Sequence, residues 1–187
     1  MQHLSNYLED HPVIAGVRGE RALKKALNSD VIIIFLLEAD LINIPEMVRR
    51  IKENDKLVFI HLDLVKGLAN DRQAVDYLAE KELCDGLVST RGNVIRAARE
   101  KDLMAVQRLF LLDSAAIKSG RDMLNSNKPD AVEILPGIAA PYFIESVKKS
   151  CPVIGGGLIR TKDEVQELVD EGLFAVSTSK QKLWHKD

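Results

Sequence analysis

The chain has 187 residues, 46% hydrophobic and 29% charged, with a formal net charge of −2 and a pI of about 6.1. This is the profile of an ordinary globular protein able to bury a core without disulfides or metals, and residues 1–187 read as a single domain. It excludes a global positive field that would draw in nucleic acid or a membrane, so any such contact needs a local patch. The two cysteines, Cys84 and Cys151, fall in different units of the pattern described next and are expected to be reduced, buried and structural. The opening MQHLSNYLEDHP lacks the basic start and apolar run of a secretion signal. The longest strongly apolar stretch, Val31 to Leu37, is too short to span a bilayer. The expectation is a cytoplasmic protein.

Along the chain, short β-branched runs alternate with amphipathic stretches. The runs begin near Val13 (VIAGV), Val31 (VIIIFLL), Leu57 (LVFIHLD), Gly86 (GLVST), Val106 (VQRLFLLD), Ala131 (AVEILPG), Val153 (VIGGG) and Phe174 (FAVSTS), eight in all. Runs of this kind read as buried parallel strands. The stretches between them carry helix signals. Pro45 and Pro141 sit in the first turns of IPEMVRRIKEN and APYFIESVKKS. Asp71 precedes RQAVDYLAEKE, and Ser114 is a plausible N-cap for the fifth helix. Thr161 and Glu164 form a capping box, and Gly172 stops that helix. The eighth run leads only to KQKLWHKD, a short closing segment. Strand alternating with helix implies a parallel sheet, and eight units suggest closure into a (β/α)₈ barrel. The first loop, AGVRGE, is not the G-x-G-x-x-G of a doubly wound dinucleotide fold. Such barrels typically run to about 250 residues, so the connections here must be tight.

Ligands of these barrels bind at the C-terminal ends of the strands. Those ends carry Arg18, Glu38 and Asp40, His61 and Asp63, Ser89 and Thr90, Asp113, Glu133, Gly155 to Gly157, and Ser177 to Ser179. After strand seven comes Gly155-Gly156-Gly157-Leu158, and after strand eight Ser177-Thr178-Ser179. Glycines let backbone N–H groups approach an anion, and a short helix start after strand eight would aim its positive end at the same point. Gly156, Gly157, Ser177 and Thr178 are therefore the phosphate-binding candidates. His61 and Asp63 share one strand face and could bind a metal or move protons, but no third ligand accompanies them, and no metal is expected. Asp113 and Glu133 suit hydrogen bonds to sugar-like hydroxyls, with His61 and Asp63 nearby. The inner ends of strands five to seven lack the lysine of a Schiff-base aldolase. A small phosphosugar isomerase or lyase using His61, Asp63 and Glu133 remains an alternative, as does a barrel that keeps its pocket but acts on a partner protein.

The segments PVIAGVRG (12–19), FIHLDLVKGL (59–68), DGLVSTRGNVI (85–95), QRLFLLDS (107–114), EILPG (133–137), GGLI (156–159) and AVSTS (175–179), with Leu183-Trp184 near the end, resemble in order and spacing the glycerol-3-phosphate-responsive antiterminators, the glycerol uptake operon antiterminator regulatory proteins of bacteria. The resemblance covers nearly the whole chain. It implies a regulator, not an enzyme. Such a protein senses glycerol 3-phosphate and binds the leader mRNA of glycerol-utilisation genes, so that transcription passes a terminator. The implied partners are that ligand and that RNA. There is no cofactor besides the effector and no membrane, and a homodimer is left open. On the resemblance, the phosphate rests on Gly156, Gly157, Ser177 and Thr178, and the glycerol hydroxyls meet His61, Asp63, Asp113 or Glu133. For RNA, the candidate cations are Arg96, Arg99, Lys118 and Arg121, with Arg91, Lys148, Lys149, Lys180 and Lys182 beside them. Arg96 and Arg99 lie one helical turn apart. The residues themselves, slightly acidic overall and 5% aromatic, do not by themselves point to RNA.

Overall fold

The computed structural model describes Leu8, residues 11–147 and residues 151–186. Each of the eight apolar runs forms a strand: β1 (Val13–Arg18), β2 (Ile33–Asp40), β3 (Leu57–His61), β4 (Gly86–Ser89), β5 (Met104–Phe110), β6 (Ala131–Leu135), β7 (Val153–Gly156) and β8 (Ala175–Thr178). Neighbours pair in parallel around the ring. The ring closes because β1 pairs with β8, Val13 opposite Val176 and Ala15 opposite Thr178, while its other edge pairs with β2. A two-residue strand, Val65–Lys66, extends the edge of β2 beside the mouth. The helices are α1 (Gly19–Leu27), α2 (Ile44–Lys52), α3 (Arg72–Glu80), α4 (Gly92–Glu100), α5 (Ser114–Asn127), α6 (Ala140–Val147) and α7 (Lys162–Asp170). This is the (β/α)₈ barrel that the alternation implied, with seven helices among the described residues. No helix among those residues is long and apolar enough to cross a membrane.

The period-two alternation of each strand sorts its residues into two cores. Inward go Ile14, Ile33, Phe35, Phe59, Val88, Val106, Ala131, Ile154 and Ala175, capped by Leu8. Phe35 and Phe59 meet with ring centroids 5.4 Å apart. Outward go Ala15, Val17, Ile34, Val58, Ile60, Leu87, Val132, Ile134 and Val176, which pack under the apolar faces of the helices. The interior is therefore filled by side chains and is no pore. One step above its apolar layers, towards the C-terminal ends of the strands, the inward positions turn polar. Gly86 sits where the barrel is tightest: a Cβ there would come within 2.4 Å of Phe59 and 2.6 Å of the Met104 carbonyl oxygen.

Local signals behave as their chemistry requires. The Asp71 carboxylate accepts from the Ala74 N–H at 3.0 Å. The capping box of α7 forms, with the Glu164 N–H donating to Thr161 Oγ1 and the Thr161 N–H to Glu164 Oε2, each at 3.2 Å. At α5 the cap is Asp113, not Ser114: its carboxylate accepts from the Ala116 N–H at 2.9 Å. Asp113 directly precedes the helix in extended backbone geometry, and an ionised carboxylate gains more there than a serine hydroxyl because the helix N-terminus is positive. Both cysteines are free and buried, and burial pushes each thiol up to about 12, which leaves them unreactive.

The closing segment departs from the repeat. After β8 the described residues form only a three-residue 3₁₀ turn, Gln181–Leu183, in place of a helix start. Leu183 and Trp184 enter the layer between strands and helices, where a further helix would otherwise pack. Trp184, 0% exposed, donates its indole N–H to the Thr178 carbonyl at 2.9 Å. Its own carbonyl accepts from the Asp30 N–H at 3.1 Å. One residue thus ties the last strand, through its side chain, to the loop before β2, through its backbone. Truncation, Trp184→Ala, is expected to lower the unfolding free energy by about 3–5 kcal/mol, read from urea denaturation followed by circular dichroism.

Candidate functional site

The polar layer above the apolar interior is built by strand alternation. β5 places Arg108 two residues beyond Val106, β6 places Glu133 two beyond Ala131, β8 places Ser177 two beyond Ala175, and β3 places His61 two beyond Phe59. The register sets Arg108 directly opposite Glu133. The pair is deeply buried, with Glu133 0% and Arg108 8% exposed. The guanidinium Nε–H donates to Glu133 Oε2 at 2.5 Å, and the Ser177 hydroxyl donates to Glu133 Oε1. One carboxylate thereby joins β5, β6 and β8. Gly156 backs onto the same group: a Cβ there would lie 2.8 Å from Glu133 Oε1 and 2.9 Å from Ser177 Oγ. Glycine is required at 156 so that this knot can close.

Above the pair opens a cavity of ≈ 540 Å³. Its walls include Gly16, Leu37, Leu135, Gly157, Ile159 and the run Ser177–Lys180. Three cations stand at its mouth: Arg18 from the end of β1, Arg160 from the loop after β7 and Lys180 after β8. All three side chains are exposed. Among the described residues, the only carboxylate lining the cavity, Glu133, is balanced by Arg108. The mouth therefore keeps a net positive field, focused by low-dielectric walls. At its lip the backbone turns left-handed at two successive residues, Gly157 (φ +73°) and Leu158 (φ +62°). The second is unusual for a branched side chain, and this conformation keeps Leu158 70% exposed beside the cavity.

His61 lies on the inner face beside these charges, almost fully buried, and its Nδ1 has no hydrogen-bond partner. Burial, reinforced by the Arg108 charge and less so by Arg18, holds its imidazole down to about 4, against the pull of Asp63 in the other direction. It is neutral at physiological pH. Asp63 faces elsewhere. It accepts from Ser89 Oγ at 2.5 Å, from the Thr90 N–H at 2.8 Å and from Thr90 Oγ1 at 2.6 Å. Burial alone would raise its carboxyl, but these hydrogen bonds together hold it below the usual range.

Of the residues expected to hold ligand, the structure brings Gly157, Ser177, Thr178 and Glu133 to one cavity, with Gly156 behind its wall and His61 beside Arg108. Asp63 clamps the end of β4. Asp113 is exposed, caps α5 and does not line the cavity. The positive helix end expected after β8 is only the 3₁₀ turn, so side-chain cations supply the charge at the mouth. Sequence reading overlooked Arg108 and Arg160. The signal for Arg108 was available: a lone arginine inside the apolar run VQRLFLL, two residues from an inward valine, must face the interior and needs a buried acid. Nothing comparable marks Arg160.

The basic residues singled out for RNA divide. Arg96 donates to Asn127 Oδ1 at 2.5 Å, and Asn127 in turn donates to Gln107. Arg99 pairs with Asp130 at 2.9 Å. Both arginines pin α4 to the end of α5 and the entry to β6. Lys118 and Arg121 are exposed on α5. Lys148 and Lys149 lie outside the described residues.

Residues 13–184 match the family described as glycerol-3-phosphate responsive antiterminator. The chain belongs to this family. It is similar to a glycerol uptake operon antiterminator regulatory protein from Listeria monocytogenes, with 35% identity over 95% of this chain and 96% of that one and a TM-score of 0.89. It is also similar to a glycerol uptake operon antiterminator-related protein from Thermotoga maritima, at 28% identity, TM-score 0.84, and coverage of 92% and 96%. Protein YgcP of Escherichia coli (strain K12) is 30% identical over 97% of this chain and 95% of its own length.

Two outcomes test the geometry of the site. Arg108→Met leaves Glu133 buried without its cation and is expected to cost about 3–5 kcal/mol of stability. Adding Glu133→Gln, which still accepts from Ser177, should recover most of that loss in urea denaturation. The second concerns pH. The folded state keeps His61 neutral while the unfolded chain protonates it near the ordinary imidazole value of 6.5. Its stabilising contribution is therefore present above pH 6.5 and is lost as pH falls towards about 4. Between pH 7 and pH 4.5 the wild type should lose on the order of 2 kcal/mol more unfolding free energy than His61→Gln; equal losses would mean that the imidazole is not held neutral by the fold.

Proposed function

We propose that this protein is a glycerol-3-phosphate sensor that acts as a transcription antiterminator on the leader mRNA of glycerol-utilisation genes. The observation that carries the sensor half is the cationic mouth over a charge-balanced floor: Arg18, Arg160 and Lys180 around Gly157 and Ser179, with the Arg108–Glu133 pair beneath. A phosphate monoester seats among the three cations and the strand-end backbone of β7 and β8, where barrels of this architecture commonly hold phosphate. The glycerol end points inward. Each Glu133 oxygen uses one acceptor site on Arg108 or Ser177 and retains capacity for a ligand hydroxyl. The cavity lies within the usual range for small-molecule sites. Membership of the glycerol-3-phosphate responsive antiterminator family supports the same ligand class, and similarity to the Listeria antiterminator regulatory protein supports the regulatory role.

The residues assigned to the alternative, an isomerase or lyase using His61, Asp63 and Glu133, do not converge as an acid–base set. Asp63 is fully engaged by Ser89 and Thr90, and Glu133 is paired with Arg108. Ligand capture without proton transfer is the reading these contacts favour. Binding is transmitted to RNA only through a difference in ligand affinity between RNA-competent and RNA-incompetent states.

Calorimetric titration with glycerol 3-phosphate, with inorganic phosphate and glycerol as controls, tests the sensor. Saturable binding of the ester, tighter than of either part, is expected. Lys180→Ala should weaken it about 10- to 100-fold, the worth of one charge-assisted contact, and Arg18→Ala similarly. Binding no better than that of inorganic phosphate would overturn the reading. In vitro transcription through a glycerol-operon leader, with and without the ester, tests the antiterminator half, with ligand-dependent readthrough expected.

A further inference from the structure

In this architecture helices flank one another around the ring. Among the described residues, one flank of α1 packs against the 3₁₀ turn Gln181–Leu183 and the residues after it. The result is a furrow of ≈ 560 Å³ between α1 and the closing segment. Arg21, Lys24 and Lys25 line it from α1, and Lys182 and His185 line it from the opposite wall. Among the described residues, no carboxylate lines it.

Several cations elsewhere in the molecule are neutralised by ion pairs. Arg49, Arg50, Arg72, Arg99 and Lys101 are each paired with a carboxylate. Among the described residues, Arg21, Lys24 and Lys182 have no such partner, and Lys25 Nζ donates to the neutral amide oxygen of Gln181 at 2.6 Å, bridging the two walls. Lys24 and Lys25 also suit the C-terminal end of α1, where positive charge is favoured. Arg21 and Lys182 have no such reason to be there. The furrow is thus a local concentration of uncompensated positive charge on a chain whose net charge is −2, the local patch that nucleic-acid binding demands of such a chain.

We propose that this furrow is the RNA-binding face, holding the phosphodiester backbone of the leader transcript along α1 and the closing segment. The proposal rests on the antiterminator reading above and locates its RNA site. It also relates that site to the ligand. Arg18 and Lys180 stand at the mouth of the ligand cavity, and each immediately precedes one wall of the furrow, Arg18 as the residue before α1 and Lys180 as the residue before the 3₁₀ turn. A ligand phosphate drawing Arg18 and Lys180 together fixes the two walls relative to each other. By reciprocity, RNA in the furrow tightens the ligand by the same factor. Arg96 and Arg99 are committed to internal contacts, and Lys118 and Arg121 on α5 line neither the furrow nor the ligand cavity, so the α5 pair serves as the control surface.

The test is fluorescence anisotropy with a fluorescein-labelled RNA stem-loop of mixed sequence, titrated at several salt concentrations. Arg21→Glu/Lys182→Glu is expected to weaken RNA binding at least about tenfold and to lower the slope of log affinity against log salt by about 1.4–1.8, two phosphate contacts' worth. Lys118→Glu/Arg121→Glu carries the same charge change and should stay within about twofold of wild type. Both variants should keep wild-type glycerol 3-phosphate titrations, which shows them folded and the ligand site intact. A groove variant that binds the stem-loop as wild type does, or an α5 variant that loses it, overturns the furrow while leaving the antiterminator reading standing. A wild type that binds phosphatidylserine vesicles but no RNA overturns both the furrow and the RNA half of that reading. A wild type that binds neither RNA nor glycerol 3-phosphate overturns the whole.

Discussion

The buried pair of Arg108 and Glu133 is the constraint around which the upper half of the barrel is arranged. Two opposite charges taken out of water are tolerated only with short, directed hydrogen bonds, and strand register supplies them by setting the two residues directly opposite each other. The second carboxylate oxygen then needs its own donor, which Ser177 provides from across the barrel. The room for that contact exists because position 156 has no side chain. Four strands are thereby held to one carboxylate: β5, β6 and β8 by bonds and β7 by the absence of a Cβ. Among the described residues, the same pairing cancels the cavity's only negative group, so the field of the mouth cations reaches a ligand undiminished.

The second constraint is the short closing segment. Among the described residues, β8 is followed by a 3₁₀ turn in place of a helix. Leu183 and Trp184 instead fill the apolar layer with two side chains, anchored by the indole N–H on Thr178. The core is closed, but the surface above it is left as a furrow whose walls carry cations. Thr178 belongs both to the ligand cavity and to the anchor of Trp184. The cavity and the closing segment therefore share one residue, Thr178.

Much of the architecture was legible because it follows from patterning. Eight β-branched runs, spaced by amphipathic stretches with proline and capping signals, leave few topologies open, and strand and helix positions came out close to their bounds. The ends of β7 and β8 were singled out from glycine and hydroxyl content, and the structure brings Gly157, Ser177 and Thr178 from them to one cavity. The illegible parts depend on partners distant in sequence. Whether Asp63 faces a ligand or a neighbouring strand is decided by Ser89 and Thr90 in the next unit. Asp113 looks like a ligand group and like a cap equally well, because both roles want an acceptor at a strand end. Arg96 and Arg99 look solvated until Asn127 and Asp130 are brought beside them. Arg108 is the instructive omission: its position in an apolar run implied a buried acid, and Glu133 was the one acid in the strand that proved to be its neighbour.

The distribution of committed groups also bears on what the cavity does. Turnover of a phosphosugar needs a group free to take a proton and another free to return it, with affinities for the proton matched to the working pH. Here Glu133 is held as an anion's half of an ion pair, Asp63 receives three hydrogen bonds, and His61 is buried beside two guanidinium groups that oppose its protonation. Glu133 and Asp63 are thus engaged by contacts within the fold, and burial and neighbouring charge keep His61 neutral. The cations at the mouth, Arg18, Arg160 and Lys180, are exposed. On the sensor reading proposed above, this division between a paired floor and an exposed charged rim suits the detection of a metabolite more than its conversion.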